Sequence, residues 1–325
     1  MVIYSLHSQG FCAKMVRSVR GGYTMTTELV RAKQFFMLAR ERYNIMLRKN
    51  RGEPWPWTED THFQTWRFTN IFREDDRTTR WFRENIRDPL DSRLHKVDCP
   101  YTKQIAGCNC GHWTKLVEST MIFRWFNRVS TNQILKDMLL GEWNSQEAKR
   151  LLRNEPTVFT GAYIVIGQPF MPKLDGVLAA IENAIPMLPG MVPNWGSTLE
   201  GAWLDIKKIS YLGGFMAHEI VQDLRYTQIL EHAIDIDTWG NLGPGAIRGI
   251  SWLVYGHGEG FNNSVAQQKK MLALMAELLE MSRDPENWPA EWPKWEMHQV
   301  EFLLCETAKY FRSYNGYRQK RRYQQ

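Results

Sequence analysis

The stretch Ser210–Asp223, SYLGGFMAHEIVQD, carries most of the fold prediction. Gly213 and Gly214 precede a run of alanine and aliphatic residues at helical spacing. A helix, a tight glycine-containing turn and a second helix form the layout of a helix-hairpin-helix, which directs backbone N–H groups at a DNA phosphate. Tyr211 stands where the first hairpin glycine is expected. An ordinary helix–helix turn therefore remains an equally good interpretation.

Apolar residues recur at helical spacing on both sides of this stretch. The predicted helices span residues 27–47, 60–72, 75–86, 117–126, 131–138, 145–152 and 173–184, followed by a run of helices towards the end. Thr58 is the predicted cap of the second helix. Residues 160–167, TGAYIVIG, fit either a buried strand or a short helix. Because no internal repeat and no alternating strand pattern occurs, the predicted class is mainly α.

The composition is that of a globular protein with a basic balance. Of 325 residues, 43% are hydrophobic and 23% charged, which excludes intrinsic disorder and leaves room for one large domain or two. The sequence contains no run of 18 apolar residues, so it predicts no membrane-spanning helix. Lys and Arg together number 41 and Asp and Glu 35, which gives a pI near 9.0. The sequence also contains 14 tryptophans. These features favour a polyanionic partner, and five cysteines favour a reducing compartment.

An arginine-rich segment, RFTNIFREDDRTTRW, spans Arg67–Trp81. Arg67, Asn70, Arg73 and Arg77 are separated by 3, 3 and 4 residues, and on a continuous helix this spacing would place them on one face. Guanidinium groups on one stripe suit a phosphate or diphosphate, because each offers forked donors at fixed charge. A solvated, salt-bridged helix face is the alternative interpretation. The four predicted diphosphate-binding residues are Arg67, Asn70, Arg73 and Arg77.

A Gly/Pro turn lies in Asp235–Trp252, DIDTWGNLGPGAIRGISW. Gly243 and Gly245 allow a substrate to approach the backbone, and a helix begins near Ala246. Arg248, in the first turn of that helix, could join the helix N-terminus in binding an anion. Gly243 and Gly245, together with Gly213 and Gly214, are the predicted DNA-binding glycines. A turn that merely joins two helices remains the alternative.

A third candidate lies near the end of the chain. Glu301, Cys305 and Lys309 recur at i, i+4 and i+8 in the apolar sequence VEFLLCETAKYFR. Charged groups on a half-buried helix are costly unless they are paired or functional. The pattern therefore fits either a catalytic acid with a cationic partner or an internal ion pair.

A cysteine-rich loop, DCPYTKQIAGCNCGHW, spans residues 98–113. Its Cys99, Cys108, Cys110 and His112 are a weak zinc candidate, because C-x-C-x-H lacks the usual C-x(2–4)-C spacing. Free thiols in an insertion are the favoured interpretation. A Walker A loop, H-E-x-x-H and G-x-S-x-G are absent from the sequence.

Several separated segments together resemble one family. RFTNIFREDDRTTRW, TGAYIV, LGGFMAHEIVQDLRY, DTWGNLGPGAIRG and VEFLLCETAKY occur in this order. They resemble the α-glutamyl/putrescinyl thymine pyrophosphorylase family of bacteriophages over roughly residues 26–315. The resemblance implies an all-α scaffold like that of helix-hairpin-helix DNA glycosylases, with insertions. It also implies double-stranded DNA carrying a modified thymine as a partner, and the cytoplasm of an infected bacterium as the location.

The implied reaction is thymine hypermodification. A kinase places a diphosphate on 5-hydroxymethyluracil in DNA, and the family member displaces pyrophosphate with the amine of a free amino acid or polyamine. For this chain, Asp237 is the first candidate for the catalytic base, because it follows the hairpin at roughly the distance of the glycosylase aspartate. Glu301 and Asp223 are the next candidates, while Lys309 and Arg248 would help to hold the diphosphate. A divalent cation at the diphosphate is compatible with this chemistry, but no ligand set predicts one.

The same features permit two other functions. A DNA glycosylase would keep the scaffold and cleave the glycosidic bond, and a non-enzymatic DNA-binding protein would need only the basic charge and the hairpin. The predicted organisation is an extension at residues 1–24, a single catalytic region at 25–315 and a basic tail at 316–325. The catalytic region would consist of one body or of two lobes, 25–155 and 156–315.

Overall fold

The computed structural model describes residues 29–92, 112–192, 195 and 197–317. Helices dominate this part of the chain, and it contains no β-strand, which confirms the mainly α class. Nor does it contain a helix long and apolar enough to cross a membrane. The helices are α1 (Ala32–Asn50), α2 (Thr61–Thr65), α3 (Arg77–Phe82), α4 (Asp88–Asp91), α5 (His112–Phe126), α6 (Val129–Ile134), α7 (Lys136–Leu140), α8 (Ser145–Leu152), α9 (Lys173–Ala184), α10 (Leu188–Met191), α11 (Leu199–Ile206), α12 (Gly213–Leu224), α13 (Pro244–Tyr255), α14 (Val265–Met281) and α15 (Met297–Tyr314).

Two clusters of buried apolar side chains support these helices. The first is formed mainly by α5, α9, α11 and α12, and includes Trp125 and Ile220. The second is formed mainly by α1, α13, α14 and α15, and includes Phe36 and Leu304. Both clusters draw residues from either side of position 155. The two lobes divided at that position stay a prediction.

Helices α13 and α15 approach each other closely because α13 has glycines at the contact. A Cβ atom on Gly249 would stand 2.0 Å from the Leu304 carbonyl oxygen, and one on Gly245 would stand 2.7 Å from the Cys305 Sγ. Any larger residue at either position would force the helices apart. The glycines of the GPGAIRG segment therefore fix the position of α15, which carries Glu301.

The prediction of one continuous helix over residues 60–72 is wrong. Helix α2 ends at Thr65, and Trp66 has an extended backbone with ψ of 144°. Asp60, rather than Thr58, caps α2, because its carboxylate accepts from the backbone N–H of His62 and Phe63 at 2.8 and 3.2 Å. The chain then runs irregularly to a 3-10 turn at Arg73–Asp75.

Side-chain acceptors replace the helical hydrogen bonds in this irregular stretch. The backbone N–H of Thr69 donates to Glu306 at 3.1 Å, and that of Asn70 donates to Asp76 at 3.2 Å. Tertiary partners therefore outweigh the local helical pattern. As a result, Arg67, Asn70, Arg73 and Arg77 do not share one helix face.

The predicted helix over residues 75–86 is also only partly correct. The helical conformation continues beyond α3 as a π-helical turn, Arg83–Arg87. Residues 160–167, for which a strand or a short helix was predicted, form neither.

The helix–turn–helix layout around Gly213 is present, with α11 and α12 joined by a turn in which Tyr211 and Gly213 have φ of 69° and 61°. Tyr211 thus adopts the left-handed conformation that a hairpin glycine would adopt at lower cost.

Candidate active site

Helix α12 buries an unusual number of polar side chains. His218, Glu219, Gln222 and Asp223 are each at most 4% exposed. Burying a polar or charged group is costly unless it is hydrogen-bonded or paired. The partners of these four residues therefore define the most polar region of the protein interior.

Two arginines neutralise the carboxylates of α12. Arg124 of α5 makes a two-pronged pair with Asp223, with its Nε and Nη2 each 2.5 Å from a carboxylate oxygen, and it lies 3.6 Å from Glu219. Arg73, from the 3-10 turn, pairs with the other oxygen of Glu219. These four residues, Arg73, Arg124, Glu219 and Asp223, are named the buried ion cluster below.

The ion cluster holds Glu219 in its charged form. Burial opposes ionisation of this carboxyl, but the charges of Arg73 and Arg124 outweigh burial and keep its pKa below the ordinary value. Because opposite charges surround it on two sides, Glu219 carries a negative charge at neutral pH. That charge acts on the neighbouring acid of α15.

Glu301 of α15 is in the opposite state. Its side chain is buried, Oε1 accepts a weak hydrogen bond from the Cys305 thiol at 3.5 Å, and within the described part of the chain Oε2 has no hydrogen-bond partner. Burial, followed by repulsion from Glu219, raises the pKa of Glu301 to about 8. Two nearby carboxyl groups whose pKa values are pushed apart are the typical arrangement of an acid–base site.

The histidines beside this pair are neutral. Burial lowers the pKa of His218 to about 4 and that of His298 well below its usual range. A ring nitrogen of His218 lies 3.0 Å from the Gln222 amide nitrogen, and Nε2 of His298 lies 3.0 Å from the Tyr226 hydroxyl. These rings are therefore uncharged and add no positive charge to this region.

Phe302 connects the buried residues with the protein surface. The Arg73 guanidinium lies over the Phe302 ring at 4.7 Å, and its side chain is 19% exposed. Phe302 also lines a surface cavity between α15 and the irregular stretch after α2. Lining residues on the two sides include Asn70, Glu306 and Tyr310. Phe302 thus contacts both this cavity and Arg73 of the ion cluster.

The predicted diphosphate residues are dispersed. Arg67, Arg77 and Arg248 are exposed, and the Asn70 side chain is held between Arg42 and Asp76 at 2.5 and 2.9 Å. Of the predicted stripe, only Arg73 joins the ion cluster. The roles of these residues in binding a diphosphate, with or without a divalent cation, stay predictions.

The predicted catalytic residues are only partly brought together. Asp223 belongs to the ion cluster and Glu301 lies beside it, whereas the Asp237 side chain is 60% exposed and lies 3.7 Å from Arg283. Lys309 pairs with Glu306 at 3.4 Å and donates to the Arg67 carbonyl, so the ion pair within α15 does not involve Glu301.

The predicted DNA-binding glycines lie at the starts of two helices. Gly213 and Gly214 open α12, and Gly243 is the cap of α13. Gly245, in the first turn of α13, faces Cys305. Their contacts with DNA stay a prediction. The zinc candidate Cys99, Cys108, Cys110 and His112 lies outside the residues whose side chains the structure describes, as do residues 1–24 and most of the basic tail.

Sequence reasoning missed two members of the ion cluster, Glu219 and Arg124. The available signal was the spacing of His218, Glu219, Gln222 and Asp223 at i, i+1, i+4 and i+5 in an otherwise apolar helix. Polar residues at such positions must find buried partners. Arg124 lies in the strongly apolar sequence MIFRWF, which is a similar signal.

Comparison with known proteins places this chain in a family. The profile described as "5-hmdU DNA kinase, helical domain" matches residues 30–97 and 102–319. The chain belongs to this family. The 5-hmdU DNA kinase of Bacillus phage SP10 is 27% identical over 244 residues, which cover 67% of this chain and 35% of that protein. The chain thus spans about a third of the length of this curated relative, and no solved structure matches it.

The family match confirms the coarse part of the resemblance, while the pyrophosphorylase member stays a prediction. The sequence resemblance and the family match both point to a family of phage thymine modification, over nearly the same residues. The matching profile, however, is that of the helical domain of a kinase and not of a pyrophosphorylase. Among the described residues, no group of three or more His, Cys, Asp or Glu side chains could hold a metal ion.

Proposed function

We propose that this chain acts on 5-hydroxymethyluracil in phage DNA and transfers an amine onto the pyrophosphorylated base. The amine would come from a free amino acid or a polyamine, and pyrophosphate would be released. Family membership supports the modified thymine as the substrate class. The observation that carries the chemistry is Glu301, a buried carboxyl beside the ionised Glu219 with one oxygen that has no hydrogen-bond partner among the described residues.

The reaction is a displacement at the exocyclic methylene carbon. The nitrogen lone pair of the amine attacks this carbon, and the C–O bond to the diphosphate breaks with its electron pair leaving on the pyrophosphate. The attacking nitrogen then carries an extra proton, which passes to the Glu301 carboxylate. A pKa near 8 suits this role, because the carboxyl is a stronger base than an ordinary glutamate yet is ionised at mildly alkaline pH.

A substrate must reach Glu301 past two features. On one side Phe302 lines the surface cavity and lies under Arg73, and on the α13 side a Cβ atom on Gly240, in the irregular segment 239–243, would stand 4.0 Å from the Glu301 Cβ. Displacement of this segment would expose the carboxyl. Arg73, paired with Glu219 and partly exposed, is the nearest cation of the ion cluster for the departing diphosphate.

Phosphorylation of DNA by this chain itself is not proposed. The sequence contains no Walker A loop, the glycine-rich cradle that many phosphoryl-transfer enzymes use for the nucleotide phosphates. The amine transfer would follow a kinase step rather than replace it. A kinase-supplied diphosphate is therefore part of the amine-transfer assays below.

A second candidate function is a non-catalytic DNA-binding module that works beside a kinase domain. The observation that favours it is the coverage of the SP10 kinase, of which the match spans 35%. In such a protein the helical region would present the modified base to a separate kinase active site. The two candidates differ in whether this chain changes the DNA covalently.

The deciding experiment is a nucleoside digest with mass spectrometry. DNA containing 5-hydroxymethyluracil is phosphorylated by a phage kinase and incubated with this protein and a mixture of amino acids and polyamines. An amine adduct of thymidine, with release of pyrophosphate, supports the transferase. A free base with alkali-labile sites would make the protein a glycosylase, and DNA binding without covalent change would favour the second candidate.

The role of Glu301 is tested in the same assay. Since the carboxyl must be ionised to accept a proton, the rate should rise with pH and level off above about 8. E301Q should abolish this rise and lower the rate by about 100-fold or more. D237N is the matched comparison, because it removes the other predicted base. Loss of activity in D237N but not in E301Q would assign the role of catalytic base to Asp237 instead of Glu301.

A further inference from the structure

The chain between α8 and α9 displays apolar side chains to solvent. Residues 156–172 contain no charged residue, and four large side chains in this stretch are strongly exposed. Ile164 is 80% exposed, Ile166 57%, Phe170 104% and Met171 42%. Exposed apolar clusters of this kind mark contact surfaces more often than isolated apolar residues do.

The backbone of this stretch is fixed despite its exposed side chains. Thr160 donates to the Phe126 carbonyl at 2.8 Å, and the Trp125 indole donates to the Ile166 carbonyl at 3.2 Å. A Cβ atom on Gly167 would stand 2.4 Å from the backbone of α9, so the segment lies directly on that helix. Phe170 has φ of 64°, a conformation that is costly for a bulky residue. The apolar side chains are therefore held outward.

The stretch is attached directly to the ion cluster. The Tyr163 hydroxyl donates to the Arg124 carbonyl at 2.6 Å, and the Tyr163 ring lies 5.2 Å from the ring of Phe215. Phe215 is in the first turn of α12, which carries Glu219, and is 51% exposed. Ile164, Ile166, Phe170, Met171 and Phe215 are named the apolar ridge below. A partner on this ridge would lie next to the candidate active site.

Positive charges lie at both ends of the ridge. Lys173 follows Met171 by two residues and lies over the Phe159 ring at 4.7 Å. Lys207 lies over the Trp203 ring at 3.8 Å, and that indole donates to the carbonyl of Gly214, next to Phe215. An uncharged ridge between cations suits duplex DNA, whose phosphates bind lysines while apolar side chains enter between base pairs.

We propose that the apolar ridge is a wedge that opens duplex DNA beside the modified base. Phe170 and Ile164 would insert into the base stack, while Lys173 and Lys207 contact phosphates on either side. The proposal rests on the proposed function in taking DNA as the substrate. It adds how a base within a duplex leaves the stack, a step that enzymes acting on a base require.

The test uses the full chain and a duplex with 2-aminopurine next to 5-hydroxymethyluracil. Unstacking of 2-aminopurine raises its fluorescence. The wild-type protein should raise the fluorescence, and the double variant I164A/F170A should need about tenfold more protein for the same rise, the effect of losing a stacking side chain. I234A is the matched control, because Ile234 is also 80% exposed but lies outside the ridge.

Two further results separate this proposal from the proposed function. On DNA whose target base is already unpaired, the double variant should form as much product as the wild type. The fluorescence assay requires no amine transfer, so its outcome stands even where no adduct forms. Equal fluorescence rises in wild type and double variant would overturn the wedge. The wedge would also be overturned if the double variant lost self-association, or binding to a kinase domain, while it still opened DNA as well as the wild type.

Discussion

Glu301 makes the stability of this protein depend on pH in a predictable way. The pKa of its carboxyl is about 8 in the folded protein and has an ordinary value near 4.5 once the chain unfolds. Between these two values the folded state holds a proton that the unfolded state has released. The stability due to this group is therefore full below pH 4.5 and is lost progressively as the pH rises to about 8.

The magnitude follows from the pKa difference. Each pH unit in this window costs about 1.4 kcal/mol of unfolding free energy. Because the folded carboxyl is itself half ionised at pH 8, the loss between pH 6 and pH 8 amounts to about 2.3 kcal/mol. Glutamine has nearly the same shape and does not ionise, so E301Q should lack this loss. The difference in stability between E301Q and the wild type should grow by about 2.3 kcal/mol over these two pH units.

The assay is urea unfolding of both proteins at pH 6 and pH 8. E182Q serves as the control, since Glu182 is exposed on α9 and reports the effect of the substitution chemistry alone. A difference between E301Q and the wild type that is the same at both pH values would refute the assignment of a buried, proton-binding Glu301. It would also remove the physical basis for its role as a base near pH 8.

Three further predictions follow from the packing and the charges. R124M leaves the Asp223 carboxylate buried without its two-pronged partner and should lower the unfolding free energy by about 3–5 kcal/mol in urea titrations; a loss below about 1 kcal/mol would contradict the pairing. G249A forces α13 from the facing carbonyl of α15 and should cost about 1–3 kcal/mol or more in thermal unfolding, whereas G190A, whose added Cβ would clash with no other described element of the protein, should change little. DNA affinity should fall steeply with salt, and K173Q should reduce the salt slope by about one; an unchanged slope would exclude a phosphate contact at Lys173.

The sequence predicted some helices accurately and others poorly, for a physical reason. Residues 145–152 and 173–184 form helices with the predicted bounds, because their apolar spacing matches a helix. Residues 66–72 have a similar pattern, but the backbone N–H groups of Thr69 and Asn70 donate hydrogen bonds to Glu306 and Asp76, which lie outside this stretch. Periodicity carries no information about such partners.

The candidate site shows the same division. The sequence identified Asp223, Glu301 and Arg73 as chemically unusual, because charged groups in apolar or arginine-rich helical patterns need an explanation. It assigned Arg73 to a stripe with Arg77, whereas the folded chain turns Arg73 inward to Glu219. Pairing of this kind depends on which helices cross, and a one-dimensional pattern does not contain that crossing.

The sequence by itself determined the mainly α class, the glycine turn before α12 and the membership of a phage thymine-modification family. These properties depend on residue types and local spacing. Only the tertiary structure decided that Arg124 neutralises the α12 carboxylates while Glu301 keeps one unpartnered oxygen. The reason is that pKa values and ion pairs depend on burial and on distances of a few ångströms between helices far apart in the chain.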